Sequence, residues 1–157
     1  MAELNIPKVE LQEAIQLALA TWGQMCDASF QALADRFGAE EAIEILRPHL
    51  EKVGEPAPIF AEMMGITGND ATTIASLFCL YEQEVLKVEG KVTEASPDRV
   101  VKESYQCPFQ SLSPGFCQAF TLVAEGMGKA INPEYKITTT KMMTAGDSHC
   151  EWIIEKK

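Results

Sequence analysis

SPGFCQAFTLVAEGMGKAINPEYKITTTKMMTAGDSHCEWIIE, residues 113–155, is the stretch whose reading decides the fold. Ser113-Pro114-Gly115 opens a helix, because serine suits the N-cap and proline tolerates the first helical position, where its missing N–H costs nothing. The helix runs to about Ile131 and stops at Asn132-Pro133. From Tyr135 the period drops to two. Tyr135–Thr144 and Ser148–Glu155 read as a hairpin around Ala145-Gly146-Asp147. On its last strand Ser148, Cys150, Trp152 and Ile154 share one face, while Asp147, His149, Glu151 and Glu155 share the other, with Ile153 as the exception. That alternation predicts an antiparallel sheet with one face covered and one open to water.

Working back along the chain, Leu86–Ser96 and Val100–Cys107 are strand-like and Pro97-Asp98 supplies the turn between them. Val101, Tyr105 and Cys107 are read as the core-facing side of the second of these strands. Everything earlier is helical. Leu11, Ile15, Leu19, Trp22, Cys26, Phe30, Leu33 and Phe37 form one apolar stripe, which Gly38 ends. A second helix carries Ala42, Ile43, Leu46 and Leu50, with a kink or break expected near Arg47 because Pro48 lies inside it. Ile59–Met64 is a short helix closed by Gly65, and Asn69 or Asp70 caps another, with Ile74, Leu77, Phe78, Tyr81 and Val85 on one face. The order is helices, then β-β-α-β-β. The expectation is a single α+β domain over residues 1–157, its N-terminal helices (mostly residues 8–85) packed on a four-stranded antiparallel sheet.

Composition narrows the function. The chain has 157 residues, 46% apolar and 23% charged, as a globular domain should. Thirteen basic against 23 acidic residues give a net charge of −10, which repels phosphate backbones and anionic headgroups. Neither nucleic acid nor a membrane surface is an expected partner. No basic segment followed by an apolar run marks a secretory signal near Met1, so the expected location is the cytoplasm. Five cysteines at 26, 79, 107, 117 and 150, an odd number without any CxxC pair, are expected as reduced thiols.

Cys26 and Cys79 sit in apolar helical runs and read as core. Cys107, Cys117 and Cys150 are placed differently. Cys150 faces the core side of its strand and Cys107 closes another. Cys117 falls at the start of the Ser113 helix, where free N–H groups and the dipole favour a thiolate. Two strands and one helix start would bring these three thiols to one end of the sheet. Cys117 is expected to be the most acidic of the five.

Cys107-Pro108, Cys117 early in a helix, Asn132-Pro133, and Gly146-Asp147 with Cys150 three residues on resemble the L-2-amino-thiazoline-4-carboxylic acid hydrolase-like family. The Gly38-Ala39-Glu40-Glu41-Ala42 junction after a Trp-containing helix is similar to that family's first half. The family in turn resembles 4-vinyl reductase domains, Golgi-transport-particle subunits and haem-NO-binding domains. The resemblance implies a small-molecule pocket between helices and sheet, and an activity that opens a thiazoline ring hydrolytically. Haem is not expected, since the only histidines are His49, beside Pro48, and His149 on a strand.

Two mechanisms would use the same thiols. Cys117 attacks the amidine-like carbon while Asp147 or His149 shuttles protons. Or Cys107, Cys117 and Cys150 bind zinc, which activates a water in the fourth position. Outside catalysis, the chain would be a non-catalytic small-molecule or metal-binding module of the 4-vinyl reductase type. Its pocket would be lined by Trp22, Phe116, Phe120, Met127, Met142 and Met143. A third class is an assembly partner, a homodimer formed through the long first helix.

Overall fold

The computed structural model describes residues 8–157. Helices α1 (Leu11–Phe37), α2 (Ala39–Gly54), α3 (Ala57–Met63) and α4 (Ala71–Leu80) lead into a π-helical turn, Tyr81–Val85. Strands β1 (Glu89–Ala95) and β2 (Arg99–Gln106), helix α5 (Pro114–Ile131), strand β3 (Tyr135–Lys141), a 3-10 turn (Met143–Ala145) and strand β4 (Cys150–Lys156) follow. The four strands form one antiparallel sheet in the order β1-β2-β4-β3. This is the α+β architecture read from the alternation in residues 113–155.

The helix starts follow local chemistry. Asp70 caps α4 by accepting the Thr73 N–H at 2.9 Å. The Ser113 hydroxyl caps α5 by accepting the Phe116 N–H at 3.2 Å, and it also donates to Asp27 on α1, which ties the two helices together.

Helix α2 does not break at Pro48, contrary to expectation; it runs without interruption from Ala39 to Gly54. Contacts with α5 on both sides of the proline hold it. Arg47, just before Pro48, bridges Glu51 at 3.3 Å and Glu125 of α5 at 3.1 Å. At the far end, Gly54 lies against the backbone of Val123, Gly126 and Met127, and Gly126 lies against the Glu51 carbonyl. A side chain at either glycine would overlap the opposite backbone.

The π turn is the larger departure. Its wide hydrogen bond runs from the Leu86 N–H to the Tyr81 carbonyl at 3.1 Å. An α-helix would rotate successive i+4 positions off the core face, whereas the extra residue per turn keeps them aligned. Phe78, Glu82 and Leu86 are therefore all buried. Val85, expected on the core face, is 45% exposed.

The inner face of β2 also differs from expectation. Val100, Lys102 and Ser104 point toward the helices, and Tyr105 is exposed. Registry with β4 explains this, since Val100 pairs with Ile154, Lys102 with Trp152 and Ser104 with Cys150. Both phases of β2 hold a valine, so apolar content alone favours the wrong one.

The strand ends are shorter than the periodicity implied. The residues before Glu89 belong to the π turn and its exit, and Met143–Ala145 forms a 3-10 turn rather than extending β3. No helix among the described residues is long and apolar enough to cross a membrane.

Candidate functional site

The inner face of the sheet carries a small cavity of about 40 Å³ where β2, β4 and the start of α5 meet. Its lining divides in two. Glu82, Leu86, Val88, Ser104, Phe109, Phe116 and Trp152 are buried and form the floor. Cys107, Cys117, Phe120, Thr139, Met142 and Cys150 are half-buried and form the rim.

The three thiols expected at one end of the sheet thus line one cavity. Cys107 follows the end of β2, and its sulfur accepts the Phe109 N–H at 3.4 Å. The Cys150 sulfur accepts the Met143 N–H at 3.3 Å. Cys117 sits one residue past the Phe116 N–H that Ser113 caps. Near it lies the Thr144 hydroxyl, whose oxygen is buried without a hydrogen-bond partner among the described residues and which favours the Cys117 thiolate.

Burial nevertheless dominates. It pushes the thiols of Cys26, Cys79, Cys117 and Cys150 above their ordinary value, and Cys107 up to about 11. For Cys117, which lines the cavity with Phe116 and Phe120, burial is the largest influence on the thiol.

Nor do the sulfurs fit a preformed zinc site. Tetrahedral coordination at Zn–S distances near 2.3 Å requires sulfurs roughly 3.8 Å apart. Among the described residues, the Cys107, Cys117 and Cys150 sulfurs do not all lie within 4.8 Å of one another. Glu103, His149 and Glu151 meet that spacing, on the outer face of the sheet. Their ligand atoms are already engaged. Lys141 Nζ lies 3.1 Å from Glu151 and 3.3 Å from His149 Nε2, and Lys91 Nζ lies 3.6 Å from Glu103.

The remaining expected residues lie elsewhere. His149 is in that outer-face group, across the sheet from the cavity, as strand alternation required. Asp147 is exposed in the hairpin turn, where its side chain accepts the Met142 N–H at 2.8 Å. Neither lines the cavity, although the Asp147 carboxylate is near enough to Cys150 to raise its thiol. Trp22 is 41% exposed and packs edge-on against Phe109 and Phe116, with ring centroids 5.9 and 6.2 Å away. It backs the cavity wall without lining it. Its other side borders an exposed groove along α1 with Val9, Leu17 and Met25. Met127 packs with Ala57, Ala61 and Leu77 instead. Of the expected ligand pocket, Phe116, Phe120 and Met142 remain.

The sequence reading missed the polar floor. Lys102 and Glu82 form an ion pair with side chains 3% and 5% exposed, and Lys102 Nζ lies 3.4 Å from the Ser104 hydroxyl and over the Phe78 ring. Burial pushes the Lys102 ammonium down, and the nearby Cys79, Cys107 and Cys150 oppose that. Charged residues mid-helix and mid-strand read as solvated. The one available signal was Lys102 in phase with Val100, and it needed the registry of β4 to be recognised.

No protein-family model matches the chain, and no curated protein matches it. Solved structures do match. The chain is similar to a trafficking protein particle complex subunit 3 from Naegleria fowleri covalently bound to palmitic acid. The TM-score is 0.69 at 16% identity, over 93% of this chain and 96% of that one. It is also similar to the phenol-responsive sensory domain of the transcription activator PoxR with phenol, with a TM-score of 0.65 at 14% identity over 88% and 74% of the two chains. At such identities the likeness is one of fold. It reaches the transport-particle architecture to which the sequence resemblance pointed, and it does not bear on the hydrolase name.

Proposed function

We propose that the chain is a small-molecule-binding domain whose ligand occupies the cavity between α5, β2 and β4. The observation that carries this reading is the composition of the cavity lining: a buried carboxylate, Glu82, paired with Lys102 behind it, together with three thiols and the hydroxyls of Ser104 and Thr139 among aromatic and aliphatic side chains. Replacing a buried ion pair by packed hydrocarbon is often neutral or stabilising, so stability alone gives little reason to keep one. A buried, perturbed charged group at a cavity is a mark of a working site. The two structures of similar fold hold palmitic acid and phenol, which supports a ligand-binding role for this fold.

Size favours the smaller class. A cavity of about 40 Å³ holds a water or two as it stands, against the 300 Å³ or more of a site for a drug-sized ligand. A compact molecule can be admitted by shifts of Met142 and Phe120 at the rim, whereas a long acyl chain needs the core reopened. Ring-opening hydrolysis makes a heavier demand. It requires a thiolate that burial disfavours and a proton shuttle, and neither Asp147 nor His149 lines the cavity. Binding is therefore placed ahead of catalysis.

The experiment is native mass spectrometry of the purified chain, alone and with phenol or palmitate added, followed by the intact mass after denaturation. A compact non-covalent adduct that is lost on denaturation is the expected result. An adduct that survives denaturation on a cavity thiol would replace the reading with a covalent one. No adduct, and no thermal shift with either probe, would remove it.

A further inference from the structure

Glu82 is 4% exposed, lines the cavity floor and engages Lys102 through Oε2. Its second oxygen, Oε1, accepts no hydrogen bond among the described residues. Oε1 is not among the fully enclosed unpartnered side-chain atoms, of which Thr144 Oγ1 is the one found among the described residues, so it keeps open space beside it, and Glu82 lines the cavity. The ammonium partner is differently placed. Lys102 spends its donors on Glu82 and, weakly, on Ser104 at 3.4 Å, and its remaining side meets the Phe78 ring at 5.8 Å. The pair is neutral as a whole and presents a free acceptor, not a free donor, to the cavity.

The surroundings set the direction of approach. The polar groups Glu82 and Ser104 lie in the buried floor, while Phe120, Met142 and the thiols form the half-buried rim. A ligand entering from the rim meets Phe120, Met142, the thiols and the Thr139 hydroxyl before the more deeply buried Glu82.

We propose that the cavity selects compact molecules with an apolar body and a hydrogen-bond-donating head, a hydroxyl or an amine, inserted head first so that the head donates to Glu82 Oε1. This rests on the binding reading above and names the ligand class. A carboxylate head is disfavoured against a neutral donor, since it would bring a second negative charge and no donor to the Glu82 carboxylate, with only the Ser104 hydroxyl to receive it. A ligand without a polar head would leave Oε1 unpaired. The π turn at Tyr81–Val85 is then a recognition device, because it is what holds Glu82 on the core face.

The test uses three probes of matched ring size: benzyl alcohol, toluene and benzoate. Quenching of Trp152, which lines the cavity, reports binding in a Trp22→Phe background where it is the only tryptophan left. Benzyl alcohol should bind at least about tenfold more tightly than toluene, as a hydrogen bond to a charged acceptor implies, and benzoate more weakly than both. Glu82→Gln alone leaves Lys102 buried without its counter-charge and is a poor test if it unfolds. The double variant Glu82→Leu/Lys102→Met removes both charges together. In it toluene should bind as before or better, and the preference for benzyl alcohol should fall to about equality. Benzoate binding as tightly as benzyl alcohol, or a preference that survives in the double variant, overturns the head-group assignment and leaves the binding reading standing. Failure of all three probes overturns both.

Discussion

The inner face of the sheet has two ends built from the same three strands. At one end Ile137, Ile154 and Val100 make a cross-strand row of hydrocarbon. It packs against Ile74, Phe78 and Ala124 with no residue more than 8% exposed among Tyr135, Ile137, Val100, Trp152 and Ile154. Moving along the strands, the next row is Thr139, Trp152 and Lys102, and the last is Cys150 beside Ser104. Apolar side chains give way to mixed and then to polar and sulfur-bearing ones over four residues of each strand. The dry end binds the layers together. The wet end keeps an imperfectly filled cavity, lined by Glu82 of the buried ion pair with Lys102.

The sharpest way to break this comparison is to unpair the floor. Lys102→Ala should cost about 3–5 kcal/mol in urea unfolding, since it leaves the Glu82 carboxylate buried alone, whereas Glu82→Leu/Lys102→Met should cost under about 1 kcal/mol or stabilise. A double variant as damaged as the single one would mean that the pair is a structural clamp and the contrast between the two ends is false.

Truncation then separates the ends by packing. Ile154→Ala at the dry end should lose about 2–5 kcal/mol, and Met142→Ala at the rim about 1 kcal/mol or less, in the same measurement. Equal losses would show the rim to be as tightly packed as the core.

Alkaline titration, compared between wild type and a single-thiol variant, probes the thiols of the wet end. Cys107 is held near 11 in the folded chain and returns to about 9 on unfolding, so its protonated form favours the native state. Its contribution is complete below pH 9 and is lost as pH rises toward 11, roughly 2 kcal/mol after allowance for partial solvent access. Lys102, pushed down by burial, works in the opposite sense. The comparison is therefore wild type against Cys107→Ala, both treated with a chelator, by urea unfolding at pH 8.5 and 10.5. The alkaline loss should shrink in the variant.

The smallest effect expected is at the helix start that frames the cavity. Ser113→Ala removes the α5 cap and the hydroxyl donated to Asp27, and should cost about 1 kcal/mol by thermal unfolding, with Cys117 alkylation becoming faster as α5 frays. An unchanged alkylation rate would show that burial by the aromatic rings, and not the α5 start, limits access to that thiol.

Much of this architecture is local chemistry and could be read directly. The caps at Asp70 and Ser113, the Pro97-Asp98 turn and the Gly146 turn depend on neighbours within a few residues and lie where the sequence indicates, and the four strands are present in the expected order with shorter ends. Cys107, Cys117 and Cys150 do line one cavity, but strand parity accounts only for Cys150: Cys107 is out of phase with the inward Val100, Lys102 and Ser104 and reaches the cavity from just past the end of β2. Trp22 was misplaced for want of the packing angle of α1. Asp147 bonds within its own hairpin, accepting the Met142 N–H, as turn chemistry at Ala145-Gly146-Asp147 implies.

What the sequence determined by itself, then, is the class of fold and the order of its elements, both products of short-range periodicity and turn geometry. The tertiary structure alone decided the polar floor. Glu82 enters the core only because the π turn holds the i+4 positions on one face, and Lys102 faces inward only because β2 is registered against β4. Both are long-range outcomes, set by which backbone pairs with which. Sequence periodicity does not carry that information when each phase of a strand offers a valine and each candidate charge could as well be solvated.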